Sequence, residues 1–598
     1  MRRWRILVVI GMMLIGTMFP QPTSRAAATG QPVRIGLYYA KTAMQEVRLS
    51  SANGLIVATL STGDAMPTPF YSQAGQSSWM VRSDAYRVQF GPYDNLTAAR
   101  AVLASLPADA TRFVVTENGK HFVRFGAYNN LDVARQVLNL IHSQPGIAIG
   151  PYRVNSAQLP DLLSAQTLRG AAAAAGFSAA LAWSGSGWQV AVGHEVGSET
   201  AESLRSQLAS ALPTEMWTVS TPDLERSEVY SVEGDLLLSV PAMDLYLGAT
   251  GAELGELENP PLVTLHTGTT TKRYRGFVQL TLQSGAYRVL LYQSLDQYIM
   301  GVLPAESYAS WPLDAQKAQA ITMRNWSESN RGKHASAGFD FCTTTNCQVH
   351  TDYSGERAVT QQAVIETAGM LMLYNGKPIS AFFSSDAGGY TESVENVWGG
   401  SSAPWLKAVP EMYPSESSYA SWEKRWSGAD LAALLQKNGV SIGKVVAIQP
   451  TGYSEGGRVM GLRLEDSAGK SVTLSSESAL RLYLNLPSRR YSVSSDAPPV
   501  SVLNAEGQVV QLVPSGLRVA GASGVTALPS SGSIALRGDT LTGTASTSGS
   551  GFVFRGSGNG HGAGLSQWGA YAMAKNGHTY EEILKHYFQG IELQKLGD

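Results

Sequence analysis

The sequence predicts an α+β protein of several domains, and three observations support this fold class. The chain has 598 residues, which is more than one hydrophobic core usually contains. A strand, a glycine turn and a helix occur twice between about residues 80 and 155, with segments of alternating β pattern on both sides. Apolar residues at helical spacing follow residue 295. We therefore expect a βαββαβ module, a mixed α/β domain and β-rich extensions.

The composition narrows the class of ligand. Apolar residues make up 44% of the chain, charged residues only 15%, and the net charge is −2. A nucleic-acid-binding protein normally carries a basic stripe, so this balance argues against that class. It suits an uncharged, sugar-like ligand.

Residues 1–28 have the pattern of an export signal. Arg2, Arg3 and Arg5 precede an apolar stretch at 6–19, and the small residues at 26–28 offer a cleavage site. The stretch is short for a membrane-spanning helix, although a retained anchor is the alternative. The sequence therefore predicts an exported, extracytoplasmic protein with no stable membrane span after cleavage.

A β-rich segment at 29–79 leads into an internal repeat. Residues 86–103 (YRVQFGPYDNLTAARAVL) are echoed by residues 121–138 (HFVRFGAYNNLDVARQVL). Each copy reads as a strand, a turn and a helix started by asparagine, and further strands are expected at 111–116 and 147–154. The resulting order is βαββαβ. A weaker third copy from Trp188 indicates a degenerate half repeat and linker over residues 156–227.

The repeat resembles the SPOR domain over residues 80–155. This resemblance implies binding of peptidoglycan glycan strands that lack stem peptides. Aromatic side chains stack on sugar rings, so the candidate glycan-binding residues are Phe90, Tyr93, Phe125 and Tyr128. The alternative for each is a place in the core, on the buried face of its strand.

The stretch from Leu295 to Trp326 carries the candidate chemistry. Residues 296–303 predict a short helix that ends in a turn at Leu303-Pro304, because a residue before proline avoids the α region. Glu306 follows at once. Proline suits a first helical turn, so Trp311-Pro312 starts the next helix, which carries Arg324.

Three ordered blocks in residues 228–598 resemble the SpoIID/LytB family, with a β insertion near residues 440–550. The first block is YIMGVLPAE at 298–306, followed by WPLDAQKAQA at 311–320 and Arg324. The second is FFSSDAGGYTESVENVW at 382–398, and the third is GHGAGLSQWGAYAMA at 560–574. The resemblance implies a cell-wall protein that remodels peptidoglycan, in sporulation or in vegetative cells.

Two functions follow from that resemblance. The first is a lytic transglycosylase that cleaves peptide-free glycan to 1,6-anhydro-muramic ends, with Glu306 as catalytic acid and Arg324 supporting it. The second is a non-catalytic glycan-binding enhancer of an N-acetylmuramoyl-L-alanine amidase, which would then be a partner. Most glycosidases need two carboxylates, whereas here the C6 hydroxyl of the muramic residue would supply the nucleophile. Glu306 must then stay protonated near neutral pH, which requires a raised pKa.

Further residues of these blocks are candidate substrate contacts. The glycine-rich loop at 560–567 lacks the lysine and spacing of a P-loop, so it is expected to approach a sugar, or else to be a tight structural turn. The second block departs from the family pattern, with Ser384-Ser385-Asp386-Ala387 before its glycines. The candidate contacts are Tyr298, Trp311, Lys317, Ser385, Gly388, Gly389, Thr391, His561, Ser566 and Gln567.

The only two cysteines, Cys342 and Cys347, lie between His334 and His350. A close pair in an exported protein predicts a disulfide, while two thiolates and two imidazoles are also a tetrahedral zinc set. Some members of the family are similar, with a histidine where this chain has Asn346. No cofactor is required by the proposed chemistry, and a structural zinc is the alternative to the disulfide.

Overall fold

The computed structural model describes residues 31–141, 145–220, 224, 226–254, 256–496 and 551–595, and six short backbone strands between 500 and 546. It contains both helices and many sheets, as the α+β prediction requires. The predicted export signal at 1–28 lies outside the described residues. Within the described residues, no helix has the length and apolar character needed to cross a membrane.

Two β-sheets form the centre of the N-terminal half. The first has seven strands, in the spatial order Phe341–Cys342, Val33–Tyr38, Ala286–Gln293, Phe277–Gln283, Leu245–Ala249, Gly54–Thr59 and Thr68–Ala74. The second, here called the large sheet, has ten strands, in the order Trp217–Val219, Tyr152–Ser156, Trp188–Glu195, Ala179–Trp183, Leu236–Val240, Ser227–Ser231, Ser77–Ser83, Glu46–Ser51, Val263–Thr267 and Thr270–Tyr274.

One apolar core joins the two sheets to the helix that carries Glu306. Val57 and Leu247 of the seven-stranded sheet belong to the same buried cluster as Val81 of the large sheet. Ile299 and Val302 of the Glu306 helix belong to it as well. Burial of such side chains contributes roughly 1.5–3 kcal/mol each, so the position of this helix is fixed by the core of the domain.

The first repeat unit, residues 86–149, has the order strand, helix, two strands, helix, strand. Its elements are Tyr86–Tyr93, Leu96–Ser105, Arg112–Glu117, Lys120–Tyr128, Leu131–Leu140 and Gly146–Ile149. Numbered along the chain, its strands are antiparallel in the order 2-3-1-4. The Asn95 and Asn130 side chains accept hydrogen bonds from Ala98 and Val133 N–H, so each asparagine caps its helix.

The weak third copy belongs to a complete second repeat unit at 152–219. Its elements are Tyr152–Ser156, Leu162–Ala174, Ala179–Trp183, Trp188–Glu195, Ser198–Ala211 and Trp217–Val219. The strand order is again 2-3-1-4, inside the large sheet. Only the second half of this unit is predicted from the sequence. Its first half has an alanine-rich helix and lacks the Phe-Gly-x-Tyr motif of the first repeat unit, so the local pattern does not reveal it. The strand expected at 147–154 is also divided, since Gly150 and Pro151 separate its parts into two sheets.

Both faces of the first unit's sheet are covered. Val88, Phe90, Val123 and Phe125 pack under its two helices. On the other face, Phe113 and Val115 pack against Tyr230 of the large sheet. Arg124 is also on this face, where it donates to the Tyr230 hydroxyl at 3.2 Å and pairs with Glu117.

Two consecutive helices carry Glu306 and the residues that follow it, and both contribute to the core shared with the sheets. Helix Leu295–Glu306 continues through Pro304, whereas the sequence predicted its end at Leu303. Proline is tolerated there because it is in the last turn, where only one backbone bond is lost. Helix Leu313–Ser329 follows, with Pro312 at its N-cap. The remaining elements are Ala40–Thr42, Ala335–Ala337, Tyr353–Gly355, Ala358–Glu366, Met370–Tyr374, Lys377–Pro378, Phe383–Ser384, Val394–Trp398, Leu565–Ser566, Gln567–Lys575, Tyr580–Tyr587 and Glu592–Lys595.

Residues 422–496 and 551–556 form a further β-rich unit with its own apolar cluster. Its elements are Trp422–Ser427, Gly428–Lys437, Val445–Tyr453, Val459–Asp466, Ser471–Leu474, Ser478–Leu482, Tyr491–Ser495 and Gly551–Gly556. Three antiparallel hairpins occupy the expected β insertion: Val500–Leu503 with Val509–Leu512, Arg518–Gly521 with Gly524–Ala527, and Ser533–Arg537 with Thr542–Ser546.

Candidate active site

Glu306 is the last residue of its helix and is partly buried. Burial raises the pKa of its carboxyl group. Hydrogen bonds from the Gln567 side chain and the Val349 backbone oppose that rise without cancelling it. None of these three influences is a charged side chain. The geometry therefore gives a carboxyl group that holds its proton to higher pH than an ordinary glutamic acid.

The second and third sequence blocks meet beside Glu306. Strands Phe383–Ser384 and Leu565–Ser566 pair in parallel, and Trp568 N–H donates to the Ser385 carbonyl at 3.0 Å. The Gln567 amide donates to the Glu306 carbonyl at 2.8 Å. The structure therefore brings together Glu306, Gln567 and Ser385. Within the described residues the Ser385 hydroxyl has no protein partner, and the residue is partly exposed.

An aromatic cluster lies next to Glu306. Its four rings belong to Tyr308, Trp311, Trp568 and Tyr571, and five of their six pairs have centroid distances of 5.2–6.2 Å. Trp311 is buried and supports the others, while Tyr308 is 63% exposed. Exposed aromatic faces beside a carboxyl acid are surfaces on which a sugar ring can stack. Sequence spacing predicts Trp311 as a contact, whereas the proximity of Trp568 and Tyr571 depends on the docking of helix Gln567–Lys575, which no local pattern specifies.

Several predicted contacts hold the loops together. Ser566 caps its helix, accepting from Gly569 N–H and Ala387 N–H. Thr391 is buried and exchanges hydrogen bonds with Val409. Gly388 and Gly389 have φ of 74° and 106°, and a Cβ on Gly388 would lie 2.6 Å from the Ser557 backbone. These four residues build the turn, and Ser385 and Gln567 remain as polar groups beside Glu306. We call the surface formed by Glu306, Ser385, Gln567 and Tyr308 the groove.

The aspartate that departs from the family pattern also has a structural place. Asp386 is buried and accepts hydrogen bonds from Ser415 at 2.7 Å, from Ser417, and from Gly388 N–H at 2.7 Å. Its carboxylate thus ties the second block to residues 415–417. Because Asp386 is buried, it fixes the position of the loop and does not itself face a ligand.

His561 is held within the glycine loop. Its Nδ1 accepts from Ala563 N–H at 3.1 Å, and its ring lies 4.9 Å from that of Trp398. Burial, with Arg481 and Arg458 nearby, lowers its pKa to about 3. The imidazole is therefore neutral at physiological pH.

Arg324 does not lie with Glu306. It is 1% exposed, and its Nε and Nη2 contact Asp296 Oδ1 at 2.8 and 2.6 Å, while Nη1 donates to the Met370 carbonyl. Asp296 is at the start of the helix that ends at Glu306, about 15 Å away at 1.5 Å per residue. The expectation that Arg324 supports Glu306 in the same site is wrong on this geometry. Its role is to anchor the helix.

Two other predicted contacts are also elsewhere. Lys317 pairs with Glu366 at 2.5 Å and lies over the Tyr580 ring. Tyr298 is fully buried and stacks between Phe341 and His350, at 5.0 and 5.7 Å. Lys317 is thus directed to Glu366. Tyr298 is enclosed in the core and offers no surface to a ligand, although its hydroxyl is close enough to Glu306 for that carboxyl group to raise its pKa.

The candidate glycan-binding aromatics divide into two pairs. Phe90 and Phe125 are 0% and 4% exposed and belong to the core of the first repeat unit, so they offer no surface to a ligand. Tyr93 and Tyr128 are half-buried at the edge of that core. The core alternative is therefore the right one for the two phenylalanines.

The cysteine segment gathers three possible metal ligands. Cys342 and Cys347 are not bonded to each other, and their Sγ atoms lie within 4.8 Å of a ring nitrogen of His334. The His334 Nε2 to Cys347 Sγ distance is 3.3 Å, close to the ~3.5 Å edge of a tetrahedral zinc site. His350 is not part of this group, because it packs on Tyr298. The residues present fit a zinc ion with three protein ligands, which would staple the loop after helix Leu313–Ser329.

Comparison with known proteins supports the resemblance around Glu306. Residues 283–374 match the family model described as SpoIID, Stage II sporulation protein. This segment contains the Glu306 helix and the whole of helix Leu313–Ser329. The match does not reach residues 80–155, whose SPOR resemblance stays a prediction.

Three curated proteins are similar to about half of the chain. An uncharacterized protein of Brachyspira hyodysenteriae is 27% identical over 301 residues, 50% of this chain and 66% of that protein. The amidase enhancer of Bacillus subtilis is 28% identical over 313 residues, 49% of this chain and 40% of that protein. Stage II sporulation protein D of Bacillus subtilis is 27% identical over 317 residues, 50% of this chain and 74% of that protein. The chain thus spans less than two thirds of the length of the first two.

Proposed function

We propose that the protein is an exported, cell-wall-associated lytic transglycosylase that cleaves peptide-free glycan strands to 1,6-anhydro-muramic ends. The observation that carries this proposal is Glu306, a carboxyl group whose pKa is raised by burial and by no charged neighbour. An acid of this kind is suited to protonate a leaving oxygen near neutral pH. The similarity of residues 283–374 to SpoIID proteins supports the assignment.

The proposed reaction needs only one carboxyl group. Glu306 donates its proton to the glycosidic oxygen as the bond from that oxygen to C1 of the muramic residue breaks. The C6 hydroxyl of the same residue bonds to C1, and its proton passes to the Glu306 carboxylate. The acid is thereby regenerated, and no water is consumed. A second carboxylate, which other glycosidases use to activate water or to form a covalent bond, has no task in this sequence.

The groove supplies the remaining requirements. The faces of Tyr308 and Trp568 provide stacking surface for sugar rings next to the acid, and buried Trp311 keeps them in place. Gln567 donates to the Glu306 backbone carbonyl and interacts with its carboxyl group, so it orients the acid. The Ser385 hydroxyl is free to bind a sugar hydroxyl or acetamido group. In this proposal Tyr93 and Tyr128 of the first repeat unit contribute to glycan binding, as the SPOR resemblance implies.

A second candidate function is a non-catalytic protein that binds glycan in the same groove and enhances an amidase. Two observations favour it. One relative is named amidase enhancer, and Arg324, which the family resemblance placed beside the acid, is instead paired with Asp296. In that case Glu306 would contribute a sugar contact, and an amidase would be the partner.

The experiment that separates the two functions is a product assay. The chain without its predicted signal is incubated with amidase-treated glycan strands, and 1,6-anhydro ends are measured by mass spectrometry. We expect products from the wild type and a loss of at least 10²-fold in Glu306→Gln, because general acid catalysis contributes about 10²–10⁴-fold. Glu202→Gln, an exposed position in the second repeat unit, is the matched control and should keep full activity.

The opposite result is equally clear. If neither the wild type nor Glu306→Gln releases 1,6-anhydro ends, while both stimulate an added amidase on intact sacculi, the transglycosylase proposal is wrong. The enhancer function then stands.

A further inference from the structure

A cleft of about 220 Å³ lies between the first helix of the first repeat unit and the large sheet. The lining of this cleft is positively charged, although the whole chain has a net charge of −2. Four arginines, one glutamate and two serines line it: Arg48, Arg82, Arg100, Arg112, Glu233, Ser78 and Ser231. We call it the arginine cleft.

Two of its arginines are already engaged and make the walls rigid. Arg82 pairs with Glu46 at 2.9 Å, and its guanidinium carbon lies 3.9 Å from the centre of the Phe113 ring. Arg112 donates to the Leu103 carbonyl at 2.7 Å and to that of Leu106, so it closes the end of the first helix. Both therefore stabilise the walls.

The other two arginines have no such partners. Arg48 comes from the large sheet and Arg100 from the helix of the repeat unit, and both are exposed. Among the described residues, neither side chain makes a hydrogen bond or an ion pair. The hydroxyl oxygen of Ser78, which also lines the cleft, is buried and lacks a partner there. The cleft is thus lined by two exposed guanidinium groups without partners, contributed by two elements of the fold, and by one buried unpaired hydroxyl.

We propose that the arginine cleft binds the carboxylate of an acidic sugar, namely the lactyl carboxylate of a muramic residue in a glycan strand. This inference rests on the proposed function and specifies how the stripped strand is recognised. In a peptide-bearing strand the lactyl carboxyl group forms an amide bond to the stem peptide and therefore has no charge. Hydrolysis of that amide leaves a carboxylate on each muramic residue, and arginine forks bind carboxylates in two-pronged geometry.

The size of the cleft agrees with this ligand. A volume of 220 Å³ corresponds to about seven water molecules, which is on the scale of one sugar ring with its acid arm. Leu96, Leu103 and Val232 provide apolar surface for the lactyl methyl group. A lactyl amide has no charge, so a peptide-bearing muramic residue would lack the group that the two arginines bind.

The repeat itself provides a matched control. Arg100 in the segment NLTAAR corresponds to Arg135 in NLDVAR, at the same position of the second helix of the unit. Arg135 is likewise exposed, but it does not line the cleft. Replacement of either arginine removes one positive charge, so only a site-specific effect distinguishes the two variants.

The test measures binding of the chain without its predicted signal to amidase-stripped strands and to the same strands with their lactyl carboxylates converted to amides. N-acetylmuramic acid and inorganic phosphate serve as competitors. The wild type should prefer stripped strands. Arg48→Gln and Arg100→Gln should each weaken that binding about tenfold or more, since a hydrogen bond to a charged group is worth roughly 1.5–3 kcal/mol. Arg135→Gln should bind like the wild type, and circular dichroism should show all three variants folded.

Three results would overturn the proposal. The first is equal binding of stripped and amidated strands. The second is a loss of binding in Arg135→Gln as large as that in Arg100→Gln. The third is displacement of the strands by phosphate as effectively as by N-acetylmuramic acid, which would make the cleft a phosphate site. Failure here is distinguishable from failure of the proposed function. If 1,6-anhydro ends form but the arginine variants bind normally, only the cleft is wrong. If binding depends on Arg48 and Arg100 but no ends form, only the transglycosylase is wrong.

Discussion

The first repeat unit and the groove at Glu306 use aromatic residues in opposite ways. In the repeat unit, Phe90 and Phe125 lie under helices, and the other face of their sheet is covered by the large sheet. In the groove, Trp311 is buried as a support, while Tyr308 remains 63% exposed beside an acid. The difference comes from what the rest of the chain places over each surface. An aromatic motif therefore indicates a binding site only where no other element covers it.

The largest effect that tests this comparison is on the stability of the repeat unit. Phe90→Ala and Phe125→Ala should each lower the free energy of opening of residues 86–149 by about 3–5 kcal/mol, because they leave large cavities in its core. Hydrogen exchange of that segment is the measurement, since the chain has several cores and no single unfolding transition is expected.

The control for this prediction is Tyr93→Ala, which removes a half-buried ring at the edge of the same core and should cost clearly less. If Phe90→Ala left the exchange rates unchanged and abolished glycan binding, the ring would be a ligand contact and the core interpretation would be wrong.

The next largest effect concerns the pair that anchors the Glu306 helix. Arg324→Ala should cost about 3 kcal/mol, since it leaves Asp296 partly buried without its partner. Asp296→Ala should have a similar effect, and the double variant should be little worse than either single variant. Hydrogen exchange of helices Leu295–Glu306 and Leu313–Ser329 in the four proteins measures this coupling. Arg425→Ala, in an exposed pair with Glu423, is the control and should cost less than about 1 kcal/mol.

A different pattern would restore a catalytic role to Arg324. That pattern is a loss of cleavage in Arg324→Ala at unchanged stability, with full activity in Asp296→Ala.

The smallest expected effect is the pH dependence that the Glu306 carboxyl group gives to the stability of its helix. The folded pKa of Glu306 is raised above its unfolded value, so the native state is penalised as pH rises past the unfolded value, and the penalty levels off above the folded pKa. In hydrogen exchange corrected for pH, helix Leu295–Glu306 of Glu306→Gln should therefore be protected like the wild type at pH 4 and slightly more than the wild type at pH 7. If the helix is less protected in Glu306→Gln than in the wild type at pH 7, the fold favours the carboxylate form.

The sequence predicted those features that depend on local pattern. The asparagine caps, the order of elements in the first repeat unit and the start of helix Leu313–Ser329 at Pro312 follow from turn and cap chemistry within a few residues. The meeting of the three blocks was expected only by resemblance. Pairing of Phe383 with Leu565 spans a large part of the chain, and no local pattern specifies it.

The errors share a physical cause. Arg324, Lys317 and Tyr298 have the right spacing to lie near Glu306, but spacing fixes the face of a helix and not the partner that each side chain reaches. Trp568 and Tyr571 were not selected because their contacts with Trp311 arise when two distant helices dock. The second repeat unit was only half recognised because its topology is kept while its motif residues have changed.

The hydrogen bond from Gln567 to Glu306 joins residues 261 positions apart, and it has a consequence for the order of events during folding. Contacts of such large sequence separation form late, because the long loop between them must close first. The surroundings of Glu306 include Gln567, so they are complete only when both ends of this part of the chain have come together.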